Sequence, residues 1–276
     1  MKTLLKLAGI SASLALASAP ASAIVTNWDY TVTSLFTAAT YTSGGGSATI
    51  PTPTGVTALS WGIPSNPGNL QSSLVVGDSP AVGNIDTYLG SSPPQTPPFL
   101  GFSTSLTHNN NVITAASASL LTAVLTNTVT LDPVVPDNPA LDDQIIPFTI
   151  AFTETTNAGT CAATSPPGNP CNDIFVLTSG LLNHTFDYDD GTGLSTYFVN
   201  IFPVTGGVLS ILSPTECAAA GQASGCIGFT TVEGQSTTLQ FGFTISTTPL
   251  QMPEPGILAL LGLGLAGLSF LRRRAD

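Results

Sequence analysis

The amino-acid sequence predicts an all-β protein, most simply a single β-sandwich or jelly-roll-like domain. Segments of about five to ten residues rich in Thr, Val, Ile and Phe recur along the chain, with Gly, Pro, Asn and Ser between them. No segment between residues 24 and 251 has the periodicity of an amphipathic helix. Short strands spaced in this way are typical of sandwiches and barrels, and the length suits one core.

The predicted strands are rich in Thr, Val, Ile and Phe, and two of them, residues 28–36 and 117–131, alternate larger with polar residues. The full set is residues 28–36, 57–62, 70–76, 99–107, 117–131, 145–154, 173–178, 185–188, 196–202, 208–212, 226–232 and 237–246. Residues 80–98 contain Pro93-Pro94 and Pro97-Pro98 and are predicted to form an exposed loop. Residues 189–193, with the sequence DDGTG, predict a hairpin turn between two strands.

The N-terminal segment, residues 1–23, has the pattern of a cleaved secretory signal. Lys2 and Lys6 precede an apolar run at residues 7–17, which is too short to span a membrane. Ala21 and Ala23 form a small-x-small cleavage site, so Ile24 is the predicted mature N-terminus.

The C-terminal segment, residues 252–276, has three parts in a fixed order. Pro253, Glu254 and Pro255 come first, then an uncharged run at 256–271, and finally a cluster of three arginines (Arg272, Arg273 and Arg274). Sixteen helical residues span roughly 24 Å, which is short for a membrane core of roughly 30 Å. The order predicts a marginal transmembrane helix held on the cytoplasmic side by its arginines.

This tail closely resembles the PEP-CTERM protein-sorting signal of Gram-negative bacteria. The resemblance implies that an exosortase-type membrane protease recognises Pro253-Glu254-Pro255 and removes the helix, after a transient stay in the inner membrane. The domain at 24–251 would then reach the cell surface or the extracellular matrix. An ordinary C-terminal anchor is the alternative, and the two differ in whether the tail is retained.

Charge is divided between the targeting segments and the domain. All five Lys and Arg residues lie in the two terminal segments, whereas fourteen of the sixteen acidic residues lie between residues 24 and 253. The domain therefore has a formal charge of −14 and no basic residue for an ordinary salt bridge. This excludes nucleic acid as a natural partner and leaves divalent cations such as calcium as candidate ligands.

Four cysteines allow three pairings, which the sequence does not separate. Two local bridges, Cys161–Cys171 and Cys217–Cys226, are favoured because each closes a short Pro/Gly/Ala-rich excursion. A zinc site is the competing interpretation, but the spacing is not C-x2-C and both histidines lie elsewhere. Because export is predicted, disulfides fit the oxidising compartment.

The sequence Thr107-His108-Asn109-Asn110-Asn111 is the most distinctive internal motif. It resembles the signature of the THxN family of PEP-CTERM proteins, with Thr107, His108 and Asn110 at the defining positions. Further segments carry the likeness: Trp28-Asp29-Tyr30, Leu59-Ser60-Trp61-Gly62, Gln71-Ser72-Ser73-Leu74, Glu154-Thr155-Thr156-Asn157, Cys171-Asn172-Asp173-Ile174-Phe175 and Gly228-Phe229-Thr230-Thr231. The resemblance implies no established activity.

Two groups of side chains are candidate functional sites. The motif containing His108 is predicted to be a turn whose Asn side chains bond their own backbone, with ligand contact and catalysis as alternatives. Asp187, Asp189 and Asp190 before a glycine suggest a weak calcium site, although the EF-hand spacing is absent and a hairpin turn is the simpler interpretation.

These observations favour a structural or interaction protein of the cell surface or exopolysaccharide matrix, without cofactor and without catalytic residues. A carbohydrate-binding module is the alternative, and it would need Trp28, Trp61 or Tyr88 to be exposed. A secreted hydrolase is a third hypothesis, and it would need His108 or His184 beside a serine or carboxylate in a cleft. No nucleophile motif such as G-x-S-x-G is present.

Overall fold

The computed structural model of the chain describes residues 24–66, 68–156, 161, 171–179, 182–189, 193–204 and 209–250. These residues form thirteen β-strands and one short α-helix, which confirms the all-β class. The arrangement as a sandwich or jelly roll stays a prediction, and both predicted terminal helices lie outside the described residues.

The strands follow the predicted segments closely, apart from β4. They are β1 (Asn27–Tyr41), β2 (Ala58–Trp61), β3 (Ser72–Gly77), β4 (Ala81–Tyr88), β5 (Gly101–Asn109), β6 (Leu120–Val135), β7 (Gln144–Thr153), β8 (Asp173–Ser179), β9 (His184–Asp189), β10 (Leu194–Pro203), β11 (Ser210–Ile211), β12 (Ile227–Thr231) and β13 (Ser236–Ser246).

Hydrogen bonding arranges the strands in two regions. The first region has the order β4-β1-β6-β7-β8-β12-β11, and the second has the order β9-β10-β13-β5-β3-β2. All pairs within the two regions are antiparallel. A short parallel contact between β4 and β13 joins them.

The long pair of β1 and β6 shows why these sequences form strands. Alternate side chains of β1, including Tyr30 and Val32, are buried and lie opposite apolar residues of β6. Thr37 lies on the other face, where its hydroxyl is hydrogen-bonded to that of Thr126 on β6, with 2.8 Å between the oxygens. The period of two therefore separates an apolar face from a hydroxyl-rich face.

An aromatic cluster links the two regions around Trp28 of β1. The Trp28 ring meets Phe186, Tyr188 and Tyr197 edge-on, at centroid distances of 5.7, 5.6 and 5.3 Å. Its indole N–H donates to Thr87 Oγ1 over 2.8 Å, so the polar atom of the ring is satisfied inside the core.

The prediction of an exposed loop at residues 80–98 is wrong for its first half, where β4 pairs with β1. Asn27 Nδ2 donates to Asn84 Oδ1 over 2.7 Å and to Asp86 Oδ1 over 2.6 Å, and Ile85 is buried between them. Side-chain amides and carboxylates thus support a strand whose Gly, Asn and Asp content is typical of loops.

A short helix that the sequence analysis did not predict, α1 (Pro214–Ala219), lies inside the second disulfide loop. Ser213 caps it and forms a capping box with Glu216. The structure contains both predicted local disulfides, Cys161–Cys171 and Cys217–Cys226. No helix of the described residues is long and apolar enough to cross a membrane.

Candidate functional site

His108 lies in a strand and not in a turn, which corrects the interpretation of its motif. It is the last but one residue of β5, opposite Leu74 of β3 and Thr237 of β13. Its side chain has no exposed surface. Because strand side chains alternate, Thr107 points to the other face, where its hydroxyl is hydrogen-bonded to Thr238.

The imidazole of His108 is enclosed by two aromatic rings. Trp61 stacks on it at a centroid distance of 6.0 Å and an interplanar angle of 10°, and Phe152 meets it edge-on at 4.9 Å. Neither ring nitrogen has a hydrogen-bond partner among the described residues. Burial lowers the pKa of the His108 imidazole from 6.5 to about 3, so the ring is neutral.

Three carboxylates gather beside this ring from separate parts of the chain. Glu154 follows β7, Asp173 begins β8, and Glu233 lies in the turn between β12 and β13. One oxygen of each lies within 4.8 Å of the others, and Asp173 Oδ2 is 3.8 Å from His108 Nε2. Like charges at this separation repel by roughly 3 kcal/mol per pair at an effective dielectric constant of 20.

Two of the carboxylates are each held by one donor. Trp61 Nε1 donates to Glu154 Oε2, and the backbone N–H of Thr155 donates to Asp173 Oδ1, both over 2.9 Å. The other oxygens, Glu154 Oε1 and Asp173 Oδ2, are buried and receive no N–H or hydroxyl hydrogen bond from the described residues. They can share a proton with each other or bind a cation.

Burial and mutual repulsion shift both acids towards their neutral forms. Burial raises the pKa of the Glu154 carboxyl from 4.5 to about 7, although the bond from Trp61 lowers it and the charge of Glu233 raises it further. Burial, followed by the charge of Glu154, raises the pKa of Asp173 well above 3.8. The folded domain therefore favours protons or another cation at this cluster.

Asn110 connects the motif to the turn that carries Glu233. Its Nδ2 donates to the Thr231 carbonyl over 2.9 Å, and its backbone N–H donates to the Gln235 carbonyl over 2.9 Å. In return, its carbonyl accepts from the N–H of Gly234 over 2.8 Å. The Asn110 Oδ1 atom is buried without a partner among the described residues.

A surface pocket of about 370 Å³ borders the cluster. Glu154 lines this pocket together with Thr155, Ser117 and Ser119. Glu154 therefore belongs both to the wall of this pocket and to the carboxylate cluster.

The tryptophans proposed to stack on sugars do not face solvent. Trp28 and Trp61 are both 0 % exposed, so each belongs to the core. Tyr88 is partly buried and meets Phe99 edge-on at 5.4 Å. Exposed indoles, on which the carbohydrate-binding alternative depended, are thus absent.

Two of the weak calcium candidates lie on β9. Asp187 is exposed and accepts from Thr196 Oγ1 over 2.6 Å, and Asp189 is exposed at the end of β9. Asp190 lies outside the described residues. Among the described His, Cys, Asp and Glu side chains, the group suited to a metal ion is the Glu154 cluster.

The hydrolase hypothesis gains no accessible centre from these contacts. His108 has a carboxylate nearby, but the ring is fully buried and its 3.8 Å separation from Asp173 exceeds hydrogen-bond reach. His184 is partly buried on β9, and burial lowers the pKa of its imidazole.

Sequence reasoning missed Glu154, Asp173 and Glu233 as a group, because the first and the last are 79 positions apart in the sequence. Glu154 and Asp173 do lie in segments on which the resemblance to the THxN proteins rests. Trp61, Leu74 and Asp173 from those segments lie next to His108 in the fold. The sequence signal that could have indicated this group is the presence of acidic residues at strand ends in a domain without Lys or Arg.

Comparison with known proteins identifies the tail alone. Residues 253–274 match the model of the PEP-CTERM protein-sorting motif. The motif implies recognition by exosortase, a membrane protease, and supports export and cell-surface sorting in bacteria. The match includes Pro253, Glu254, Pro255 and the three arginines, all outside the described residues. No curated protein matches the chain.

Proposed function

We propose that this chain is a structural or interaction component of the Gram-negative cell surface or extracellular matrix, associated with exopolysaccharide after exosortase removes its tail. The PEP-CTERM motif at residues 253–274 carries the proposal. Cleavage after Ala23 and before the membrane helix would release residues 24–251. Within this class we assign the chain to the THxN proteins, with a sandwich-like domain.

The surface of the domain supports a role in binding hydrated polymers through cations. It has no Lys or Arg between residues 24 and 253. Its exposed strand faces carry hydroxyl pairs such as Thr40–Thr122 and Thr107–Thr238, with 2.6 and 2.8 Å between the oxygens. Carboxylates and hydroxyls of this kind are suited to bridging through calcium ions.

A direct carbohydrate site is a second candidate function, and it rests on a polar pocket instead of on exposed tryptophans. A polar pocket of about 460 Å³ is lined by amides and hydroxyls, among them Gln71, Asn109, Asn111 and Ser236. Asn109 and Asn111 face it because they alternate with the inward His108 and Asn110. Such groups match the donors and acceptors of sugar hydroxyls.

Processing is tested by expressing the full chain in a host with its exosortase gene intact or deleted. The intact strain should yield secreted protein that lacks the C-terminal helix by mass spectrometry, and the deletion strain should retain full-length protein in the inner membrane. Replacing Pro253 and Pro255 by Ala should reproduce the deletion. Loss of the tail without exosortase would refute processing by this protease.

Polymer binding is tested by co-sedimentation of the secreted protein with the host exopolysaccharide, with calcium present and with it chelated. Saturable binding that chelation abolishes supports bridging through cations. Binding in both conditions that is lost in an Asn109→Ala/Asn111→Ala variant supports the polar pocket instead. No sedimentation in either condition refutes both forms of exopolysaccharide association.

A further inference from the structure

The carboxylate cluster next to His108 has the donor composition of a metal site. One oxygen each from Glu154, Asp173 and Glu233 lies within 4.8 Å of the other two. Between residues 24 and 253 the chain has no Lys or Arg that could neutralise them. Buried carboxylates are normally paired with a cation, protonated or bound to a metal ion.

His108 supplies an independent observation that points to a ligand. It is fully buried, both ring nitrogens are without hydrogen-bond partners among the described residues, and Nε2 is 3.8 Å from Asp173 Oδ2. Two atoms that bind one ion at about 2.0–2.2 Å each lie roughly 3–4 Å apart. The observed 3.8 Å lies within this range, so an ion bound to both atoms would satisfy the orphaned nitrogen.

The surroundings orient the acids as outer-shell partners orient metal ligands. Trp61 and the Thr155 backbone each donate to one oxygen of a carboxylate, and the second oxygen of each is buried without a hydrogen-bond donor among the described residues. Asn110 fastens the turn that carries Glu233 by three hydrogen bonds. Rigid outer contacts of this type are typical of metal sites and set the orientation of the ligands.

We propose that Glu154, Asp173, Glu233 and His108 bind one divalent transition-metal ion in the interior of the domain. Carboxylates together with a neutral imidazole suit Zn²⁺ or Mn²⁺, whereas Ca²⁺ and Mg²⁺ prefer oxygen ligands alone. The ion would join β5, the end of β7, β8 and the β12–β13 turn, and its role would be structural. The proposal is independent of exosortase processing and of polymer binding.

Titration calorimetry tests it on the full-length chain, purified in detergent and stripped with chelator. Zn²⁺ and Mn²⁺, each titrated alone, should bind at a ratio of one ion per chain and raise the thermal midpoint. Asp173→Asn should weaken binding more than about 100-fold, beyond the 10–100-fold expected for Trp61→Phe, which removes an outer-shell donor. The matched control Asp187→Asn changes an exposed aspartate and should bind as the wild type does.

A second measurement needs no variant and so does not depend on a mutant folding. X-ray absorption of the Zn²⁺-loaded wild type should show the scattering of one imidazole and N/O ligands at about 2.0–2.2 Å. Folded wild type that binds neither ion overturns the proposal, as does binding that Asp173→Asn leaves unchanged. Absence of imidazole scattering overturns His108 as a ligand. Tighter binding of Ca²⁺ than of Zn²⁺ overturns the choice of metal.

Discussion

The metal-free protein should lose stability as the pH rises from 4.5 to 7. In the folded state burial raises the pKa of Glu154 from 4.5 to about 7 and that of Asp173 well above 3.8. Both acids hold a proton more tightly when folded than when unfolded. Their contribution is therefore complete below the unfolded pKa and is lost as the pH rises through the folded pKa.

His108 acts in the opposite direction, because burial lowers the pKa of its imidazole from 6.5 to about 3. Its contribution is complete above pH 6.5 and is lost as the pH falls towards 3. Between pH 4.5 and 6.5 it offsets the loss from Glu154, and the raised pKa of Asp173 adds a further loss in the same direction as Glu154. Stability should accordingly fall by on the order of 1–3 kcal/mol between pH 4.5 and 7.

Urea unfolding in chelator measures this decrease, with the fluorescence of the buried Trp28 and Trp61 as the signal. For a slope of about 2 kcal/mol per molar urea, the midpoint should fall by roughly 0.5–1.5 M between the two pH values. Glu154→Gln should reduce the decrease, because it removes one of the titrating acids at nearly constant volume. A wild-type midpoint that is constant or rises with pH would refute the reasoning.

Two further predictions concern the scaffold. The buried N–H of Val25 donates to the Tyr197 hydroxyl over 2.8 Å and would lose its acceptor in Tyr197→Phe. This substitution should therefore destabilise the domain by roughly 1–3 kcal/mol in thermal unfolding. An unchanged thermal midpoint would contradict this role of the hydroxyl. Replacing Cys217 and Cys226 by Ala should lower the free energy of unfolding by about 2–3 kcal/mol, since the loop they close spans a sequence separation of 9. Wild-type stability that does not change with reductant would contradict this prediction.

Local chemistry made most of the fold predictable. Alternation in β1 and β6 identifies strands because each has one apolar face and one hydroxyl face. β4 was missed because its stability comes from pairing with β1 and from bonds such as Asn27 to Asn84, which have no periodic signal. Helix α1 was missed because six residues are too few for an amphipathic pattern and only its Ser213–Glu216 capping box marks it.

The candidate site was predictable only in part, for a related reason. His108 and Asn110 stood out as a motif, but a turn-like composition of His and Asn gave no indication that both would be buried. The acids come together through the antiparallel ladders of β7 with β8 and β8 with β12. Register of this kind depends on contacts distant in sequence, so spacing along the chain could not place the three carboxylates together.

The charge pattern of the chain and the burial of this cluster decide how its carboxylates can be neutralised. A domain without Lys or Arg can neutralise buried carboxylates only with protons or with an ion from solvent. Protons neutralise the cluster incompletely near pH 7, because the pKa of Glu154 is about 7. Each carboxylate that ionises also raises the pKa of its neighbour. A metal ion carries two charges and also bonds the orphaned His108 nitrogen, which a shared proton between Glu154 and Asp173 leaves unsatisfied. The histidine therefore favours the metal over the proton.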